Sequence, residues 1–144
     1  MKNQFKLQPV LNYRQILEDQ AKQELARSLQ QEAELLGRLT AEEQELEQLY
    51  RDYEQRQRAG IGCAEMLLFQ NRISHKVETV ARLLDAMERL RQQIVRKRQG
   101  LTEASREKKL LEKLKEKNDE EFQQELKRRE GIVLDEVAVQ FHRR

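Results

Sequence analysis

The chain has 144 residues, of which 38% are charged and 5% aromatic, and its net charge at pH 7 is +2. So few large apolar residues exclude a globular core of ordinary thickness, and a nearly balanced charge does not indicate nucleic acid as a partner of the whole chain. The single cysteine, Cys63, excludes a disulfide framework. No segment approaches the roughly 20 apolar residues of a membrane-spanning helix, and no apolar stretch follows the first residues as in a secretory signal. We therefore expect one cytosolic domain, 1–144, built from long helices.

Helix-breaking residues are almost absent from the chain. Pro9 is the only proline, and the next cluster of breakers is Gly60 and Gly62, since the single Gly37 is tolerated inside a helix. Proline is favoured in the first turn of a helix, and paired glycines favour a turn. The sequence predicts helix one over about 8–58, a turn over 59–62, and helix two over about 63–142.

Helix one carries its apolar residues in two sections with different spacing. The early section steps mainly by four, and the later section fits a seven-residue repeat that Glu42 interrupts. We therefore expect no single register along helix one. The early positions are Val10, Leu11, Ile16, Leu17, Ala21, Leu25 and Leu29, and the later ones are Leu35, Leu39, Leu46, Leu49 and Tyr53.

Helix two has a clearer apolar seam, which ends in a register slip at Gly100. The seam is broken by Arg91 and Arg98. Its predicted members are Ile73, Val77, Val80, Leu84, Met87, Ile94 and Leu101. Folding the chain at the glycine turn places Leu49 opposite Ile73, Leu46 opposite Val77 and Leu39 opposite Leu84. Apolar side chains then meet apolar side chains, so we predict an all-α fold, a long antiparallel two-helix coiled-coil hairpin.

The segment after the turn is the most apolar part of the chain. Met66, Leu67, Leu68 and Phe69 point all round a helix, so two helices cannot cover them together. Two interpretations remain open: the segment closes the end of the hairpin, or it binds a partner.

Residues with catalytic potential are few and isolated. His75 and His142 have no Cys or carboxylate at a convincing metal-ligand spacing, and no glycine-rich phosphate loop exists. Cys63 suits a small apolar residue beside a turn better than a nucleophile. We expect no enzyme activity, and no catalytic, metal or cofactor-binding residue.

Basic residues cluster in the second half of helix two, over 96–98 and 106–117. Glutamates are interleaved with them, as on a solvated helix face with i,i+4 pairs. A surface for an acidic partner is the alternative. Nucleic acid is not expected, because no aromatic stacking platform accompanies the basic residues.

Three parts of the sequence resemble the FliJ family of flagellar export proteins. The opening run from Phe5 to Arg14, followed by Glu18, is similar to the family's start. The run 108–115, followed by Glu130, 134–137 and Phe141, is similar to its ending. The glycine turn followed by Phe69 and Ile73 stands where the family has its hairpin tip.

The resemblance implies a non-enzymatic stalk of the flagellar type III protein export apparatus, in flagellum biogenesis, motility and chemotaxis. In this family the paired terminal regions insert into the ring of the hexameric export ATPase. Another part contacts the cytoplasmic domain of the membrane export gate, and the protein escorts export chaperones. The implied location is cytoplasmic, peripheral at the cytoplasmic face of the inner membrane at the flagellar base.

The resemblance also implies which residues bind these partners. The gate-binding candidates are Phe69, Ile73 and Val77. The ATPase-binding candidates are Phe5, Leu7, Val10, Leu11, Arg14, Glu18, Glu130, Leu134, Asp135, Glu136, Val137 and Phe141. Two alternatives remain open: the stalk of a virulence type III secretion system, and a generic coiled-coil scaffold. A scaffold would favour a parallel dimer, which the glycine pair argues against.

Overall fold

The computed structural model describes residues 3–143, which form two long α-helices and no strand. Helix α1 spans Gln8–Ala59 and helix α2 spans Cys63–His142. The two helices pack against each other, so the predicted all-α two-helix hairpin is confirmed. Within the described residues, neither helix is long and apolar enough to cross a membrane.

The turn between the helices depends on one glycine conformation. Gly60 has a φ of 98°, a left-handed conformation that L side chains rarely adopt. The backbone N–H of Met66 donates to the Gly62 carbonyl oxygen at 3.0 Å and so begins α2. Across the turn, Arg56 Nε and Nη2 donate to the two carboxylate oxygens of Glu65, each at 2.8 Å. This forked hydrogen bond lowers the pKa of Glu65 below its ordinary value of 4.5.

The packed face of α1 follows one seven-residue repeat along the helix. An unbroken series of buried or half-buried residues alternates steps of three and four, as in a coiled coil. The prediction of two registers was therefore wrong, because it considered only apolar residues and five members of the series are polar. The series is Leu11, Arg14, Glu18, Ala21, Leu25, Ser28, Glu32, Leu35, Leu39, Glu42, Leu46, Leu49 and Tyr53.

The packed face of α2 follows the same repeat, and it corrects the predicted seam. Val77 and Leu84 are 42% and 49% exposed, whereas Leu83 is only 7% exposed. No slip occurs at Gly100. The series is Phe69, Ile73, Lys76, Val80, Leu83, Met87, Leu90, Ile94, Lys97, Leu101, Ala104, Lys108, Leu111, Lys115, Asn118 and Phe122. We call the two series the facing residues.

Lys76 explains why the predicted seam was displaced. Its ammonium donates to the Glu42 carboxylate at 2.6 Å and also to the Glu45 carboxylate. These hydrogen bonds, chiefly that of Glu42, raise the pKa of Lys76 above its ordinary value of 10.5. A lysine can therefore occupy a facing position because α1 supplies carboxylates beside it, and Val77 turns towards solvent.

Contacts divide the hairpin into two compact units. The turn unit is Lys22–Gly100, and the terminal unit joins the residues up to Ala21 with those from Leu101 onward. In the turn unit the buried apolar residues are Leu39, Leu49, Leu83, Met87 and Ile94. Ser28 is fully buried there and accepts a hydrogen bond from Lys97 Nζ at 2.6 Å. The turn unit thus combines an apolar seam with a satisfied polar layer.

The terminal unit relies more on polar contacts. Glu18 is 6% exposed, and its carboxylate accepts a hydrogen bond from Lys108 Nζ at 3.2 Å. That contact is the main cause that raises the pKa of Lys108. Nearby, Arg14 pairs with Glu107, and the Asn3 amide donates to the Asp119 carboxylate at 2.8 Å. A buried carboxylate is therefore tolerated because a cation from the facing helix accompanies it.

Candidate functional site

The terminal unit contains all twelve predicted ATPase-binding residues, since each lies before Ala21 or after Leu101. On α1 and just before it, Leu7 and Val10 are 43% and 41% exposed. Phe5 and Arg14 are half-buried. The N-terminal part therefore offers apolar side chains to solvent beside the hairpin packing.

Leu11 and Glu18 differ from the other predicted residues. They are 9% and 6% exposed. Leu11 belongs to the facing residues of α1, and Glu18 pairs with Lys108. Both side chains are used inside the terminal unit, so neither offers surface to a partner.

The C-terminal end of α2 carries the most exposed apolar side chains of the predicted set. Leu134 is 68% exposed, Val137 43% and Phe141 77%. Ile132, Val133 and Val139 are also exposed. Such a density of exposed apolar residues on one helix end is typical of a surface that a partner covers.

Carboxylates border these apolar residues. Glu130 and Leu134 line a shallow groove of about 470 Å³, together with Leu126, Arg129 and Val133. Asp135 and Glu136 line a second groove of about 410 Å³. Apolar side chains with charged neighbours can both bury area and fix the orientation of a bound protein.

One ion-pair cluster precedes this segment. Glu125 accepts hydrogen bonds from Arg128 Nη2 at 2.8 Å and Nε at 3.1 Å. Arg128 is the first cause of the lowered pKa of Glu125, and Arg129 adds to it. The three residues are close in sequence on the same helix, so the cluster stabilises α2 locally rather than holding it to α1.

The predicted gate-binding residues lie in the turn unit and differ in exposure. Phe69 and Ile73 are half-buried facing residues, and Val77 is exposed. The Phe69 ring lies 5.2 Å from the Tyr53 ring, centroid to centroid, with the planes tilted by 57°. Phe69 therefore contributes to hairpin packing while part of its surface remains open.

The apolar segment after the turn is only partly covered, as expected. Met66 and Phe69 are half-buried, whereas Leu67 and Leu68 are 51% and 62% exposed. The two leucines add apolar surface to this end of the turn unit. They are partner-surface candidates that sequence reasoning had left unassigned.

An open cleft of about 370 Å³ lies nearby in the turn unit. Charged residues of both signs line it, including Glu45, Asp52, Arg72 and Lys76, and His75 is beside them. Among the described residues, no group of His, Cys, Asp and Glu is arranged to hold a metal ion. The cleft offers charges for contact with another protein, but no nucleophile with an adjacent base.

Leu36 and Leu84 were also missed as surface residues. They are 48% and 49% exposed in the turn unit, and sequence reasoning had placed Leu84 inside the seam. Each of these leucines directly follows a facing residue, so the seven-residue repeat could have identified both as surface residues. That repeat becomes recognisable only when polar residues such as Lys76 are counted among the facing residues.

Comparison with known proteins identifies the family. No significant match was found among curated proteins or solved structures. A family model described as flagellar FliJ protein matches residues 2–144, essentially the whole chain. The chain therefore belongs to the FliJ family, a non-catalytic component associated with the flagellar export apparatus.

Proposed function

We propose that this chain is a non-enzymatic stalk of the flagellar type III export apparatus, and that its terminal unit inserts into the ring of the hexameric export ATPase. The observation that supports this most is the exposed apolar surface at both ends of the chain. Its proposed contact residues are Phe5, Leu7, Val10, Arg14, Glu130, Leu134, Asp135, Glu136, Val137 and Phe141.

The chemistry of that surface suits insertion into a protein ring. Leu134 and Phe141 expose about two thirds or more of their surface, and Asp135 and Glu136 stand beside them. Apolar centres with charged rims are characteristic of specific protein interfaces. Because the carboxylates are solvated when the chain is free, they select the orientation of binding more than they add affinity.

The turn unit is the proposed contact for the cytoplasmic domain of the membrane export gate. Phe69, Ile73 and Val77 are the proposed binding residues, with Leu67 and Leu68 beside them. This arrangement would hold the protein at the cytoplasmic face of the inner membrane at the flagellar base. Escort of export chaperones completes the proposal.

Helix α2 spans Cys63–His142 and contributes residues to both units. We propose that this shared helix carries the coupling between the ATPase contact and the gate contact. The proposed role needs no catalytic group.

Site-specific photo-crosslinking tests the two proposed contacts together. A benzophenone side chain at Phe141 should crosslink to the purified export ATPase, and one at Leu68 should crosslink to the gate's cytoplasmic domain. Both positions are highly exposed, at 77% and 62%, so the label does not disturb packing. Crosslinking of both positions to the same partner, or of neither, contradicts the assignment.

A further inference from the structure

The turn unit has a second apolar surface beside the facing residues. It consists of the residues that directly follow facing residues along both helices. We call it the side face. In the middle of the turn unit its members are Ala26, Leu29, Ala33, Leu36, Thr40, Glu43 and Glu47 on α1, and Ser74, Val77, Ala81, Leu84, Glu88, Arg91 and Val95 on α2.

These residues lie on one side of the hairpin for a geometric reason. Each residue turns a helix by about 100° in the same sense, and the two helices run in opposite directions. Residues that follow facing residues therefore point to the same side of the pair. Arg91 follows Leu90 on this side, and its Nε lies 3.5 Å from the carboxylate of Glu32 on α1.

The opposite side of the turn unit has a different composition. It consists of the residues that directly precede facing residues, and most of them are charged or polar. On α1 these are Glu24, Arg27, Gln31, Glu34, Arg38, Ala41, Glu45 and Gln48, and on α2 they are Arg72, His75, Thr79, Arg82, Ala86, Arg89, Gln93 and Arg96. The side face carries the large apolar residues Leu29, Leu36, Val77, Leu84 and Val95, whereas Ala41 and Ala86 are the apolar residues among those just named on the opposite side. The two sides therefore differ, and the apolar surface of the side face is not a general property of the hairpin.

Leu36 and Leu84 form the centre of the side face. On α1, Leu36 lies between Glu32 and Glu42, whose partners on α2 are Arg91 and Lys76. On α2, Leu84 lies about midway between Lys76 and Arg91, so Leu84 and Leu36 stand at about the same height along the hairpin. The two leucines are 48% and 49% exposed, and the small residues Ala33, Thr40 and Ala81 stand three or four positions from them on the same side. A second helical surface can approach such a surface closely.

At the two side-face positions seven residues beyond the central leucines, the charges have opposite signs. Glu43 lies seven residues after Leu36, on the side of the centre nearer the turn. Arg91 lies seven residues after Leu84, on the side farther from the turn. The Arg91 side chain is 58% exposed despite its contact with Glu32, so its guanidinium can donate to a second carboxylate. A surface with an apolar centre and opposite charges at its ends is complementary to its own antiparallel copy.

We propose that the side face binds a second copy of this chain, related by a two-fold axis that passes between the central leucines. Leu36 and Leu84 then meet the same leucines of the partner copy. The two-fold axis brings Glu43 of each copy to the same height along the helices as the partner's Arg91, and we call each such height an end layer. A carboxylate is then near a guanidinium in both end layers. The product is a four-helix assembly in which each hairpin covers the other's apolar side.

Sedimentation equilibrium of the full chain tests this self-association. We expect a monomer–dimer equilibrium within about 10 to 100 μM. Replacing both central leucines, Leu36→Gln with Leu84→Gln, should weaken dimerisation by at least about tenfold, because two apolar contacts per copy are lost. The control Leu68→Gln changes a leucine that is still more exposed, at 62%, but lies outside the face, and it should leave the dimer intact.

Charge reversal tests the orientation and does not depend on the leucine variants. Glu43→Arg alone and Arg91→Glu alone each place like charges in both end layers of their own dimer. An equimolar mixture of these two variants places opposite charges in both layers, so it should associate at least about tenfold more tightly than either variant alone.

Three results would overturn the proposal. One is a chain that remains monomeric throughout the concentration range, which would leave the side face to a helix of another protein. Another is a dimer that the leucine pair does not weaken, or that Leu68→Gln weakens equally. The third is a mixture of the charge variants that associates no better than its components.

Discussion

Adjacent leucines in α2 provide a direct test of the facing register. Leu83 is 7% exposed and Leu84 is 49% exposed, although the two residues are neighbours on one helix. Replacing each with alanine removes the same atoms and changes helix propensity equally. Any difference in stability therefore measures the difference in packing.

The buried fractions of the two leucines set the expected losses of unfolding free energy. Leu→Ala removes three carbon atoms, which are worth about 2.4 kcal/mol when fully buried. Scaling by the buried fraction gives about 2.2 kcal/mol for Leu83→Ala and about 1.2 kcal/mol for Leu84→Ala. A residual cavity adds to the first value only, so we expect about 2.5 to 3 kcal/mol for Leu83→Ala.

Urea unfolding followed by circular dichroism at 222 nm measures both variants. The experiment should be done near 1 μM protein, where the proposed dimer does not contribute. Equal losses for the two variants would show that the two positions are equally packed. A larger loss for Leu84→Ala would restore the seam that the apolar pattern alone had predicted and refute the register described above.

Three other predictions concern the turn, pH and the gate contact. Gly60→Ala should cost about 1 to 2 kcal/mol because of the φ of 98°, whereas Gly62→Ala, whose added Cβ meets no atom within 4 Å, should change stability by less than about 0.5 kcal/mol in urea titrations. Because Arg56 lowers the pKa of Glu65, the pair stabilises the folded chain above Glu65's ordinary value of 4.5 and loses this effect as the pH falls through the lowered pKa. The difference in unfolding midpoint between the wild type and Arg56→Gln should therefore shrink from pH 7 to about pH 3, and an unchanged difference would refute the pair's role. Phe69→Ala should weaken binding to the gate's cytoplasmic domain with helicity nearly intact, and unchanged binding with a lower melting temperature would identify Phe69 as a packing residue only.

Much of the hairpin was predictable because helix breakers are so scarce. Pro9 and the Gly60–Gly62 turn stand out against a background of good helix formers, and the structure begins α1 at Gln8 and ends it at Ala59. The register was harder to predict. Apolar periodicity alone cannot recognise Lys76, Ser28 or Lys97 as facing residues, because each depends on a partner from the other helix.

The same difficulty limited the prediction of binding surfaces. Leu11 was assigned to a partner by resemblance, although it is a buried facing residue in the terminal unit. Exposure of Leu134 and Phe141 was easier to anticipate, because both lie far beyond the residues of α2 that contact α1. The side face around Leu36 and Leu84 became visible only after the polar facing residues had placed each helix in register.

Stimulation of the purified export ATPase tests the proposed stalk function most directly. The full chain should be compared with a chain that ends at Arg129, which lacks Glu130, Leu134, Val137 and Phe141. Of the removed residues that the structure describes, all but Gly131 are exposed, so the remaining helices should keep their ellipticity per residue, and this serves as the folding control. We predict that the shortened chain neither stimulates ATP hydrolysis nor promotes ring formation. Full stimulation by the shortened chain would contradict the proposal that this end of the terminal unit contacts the ATPase.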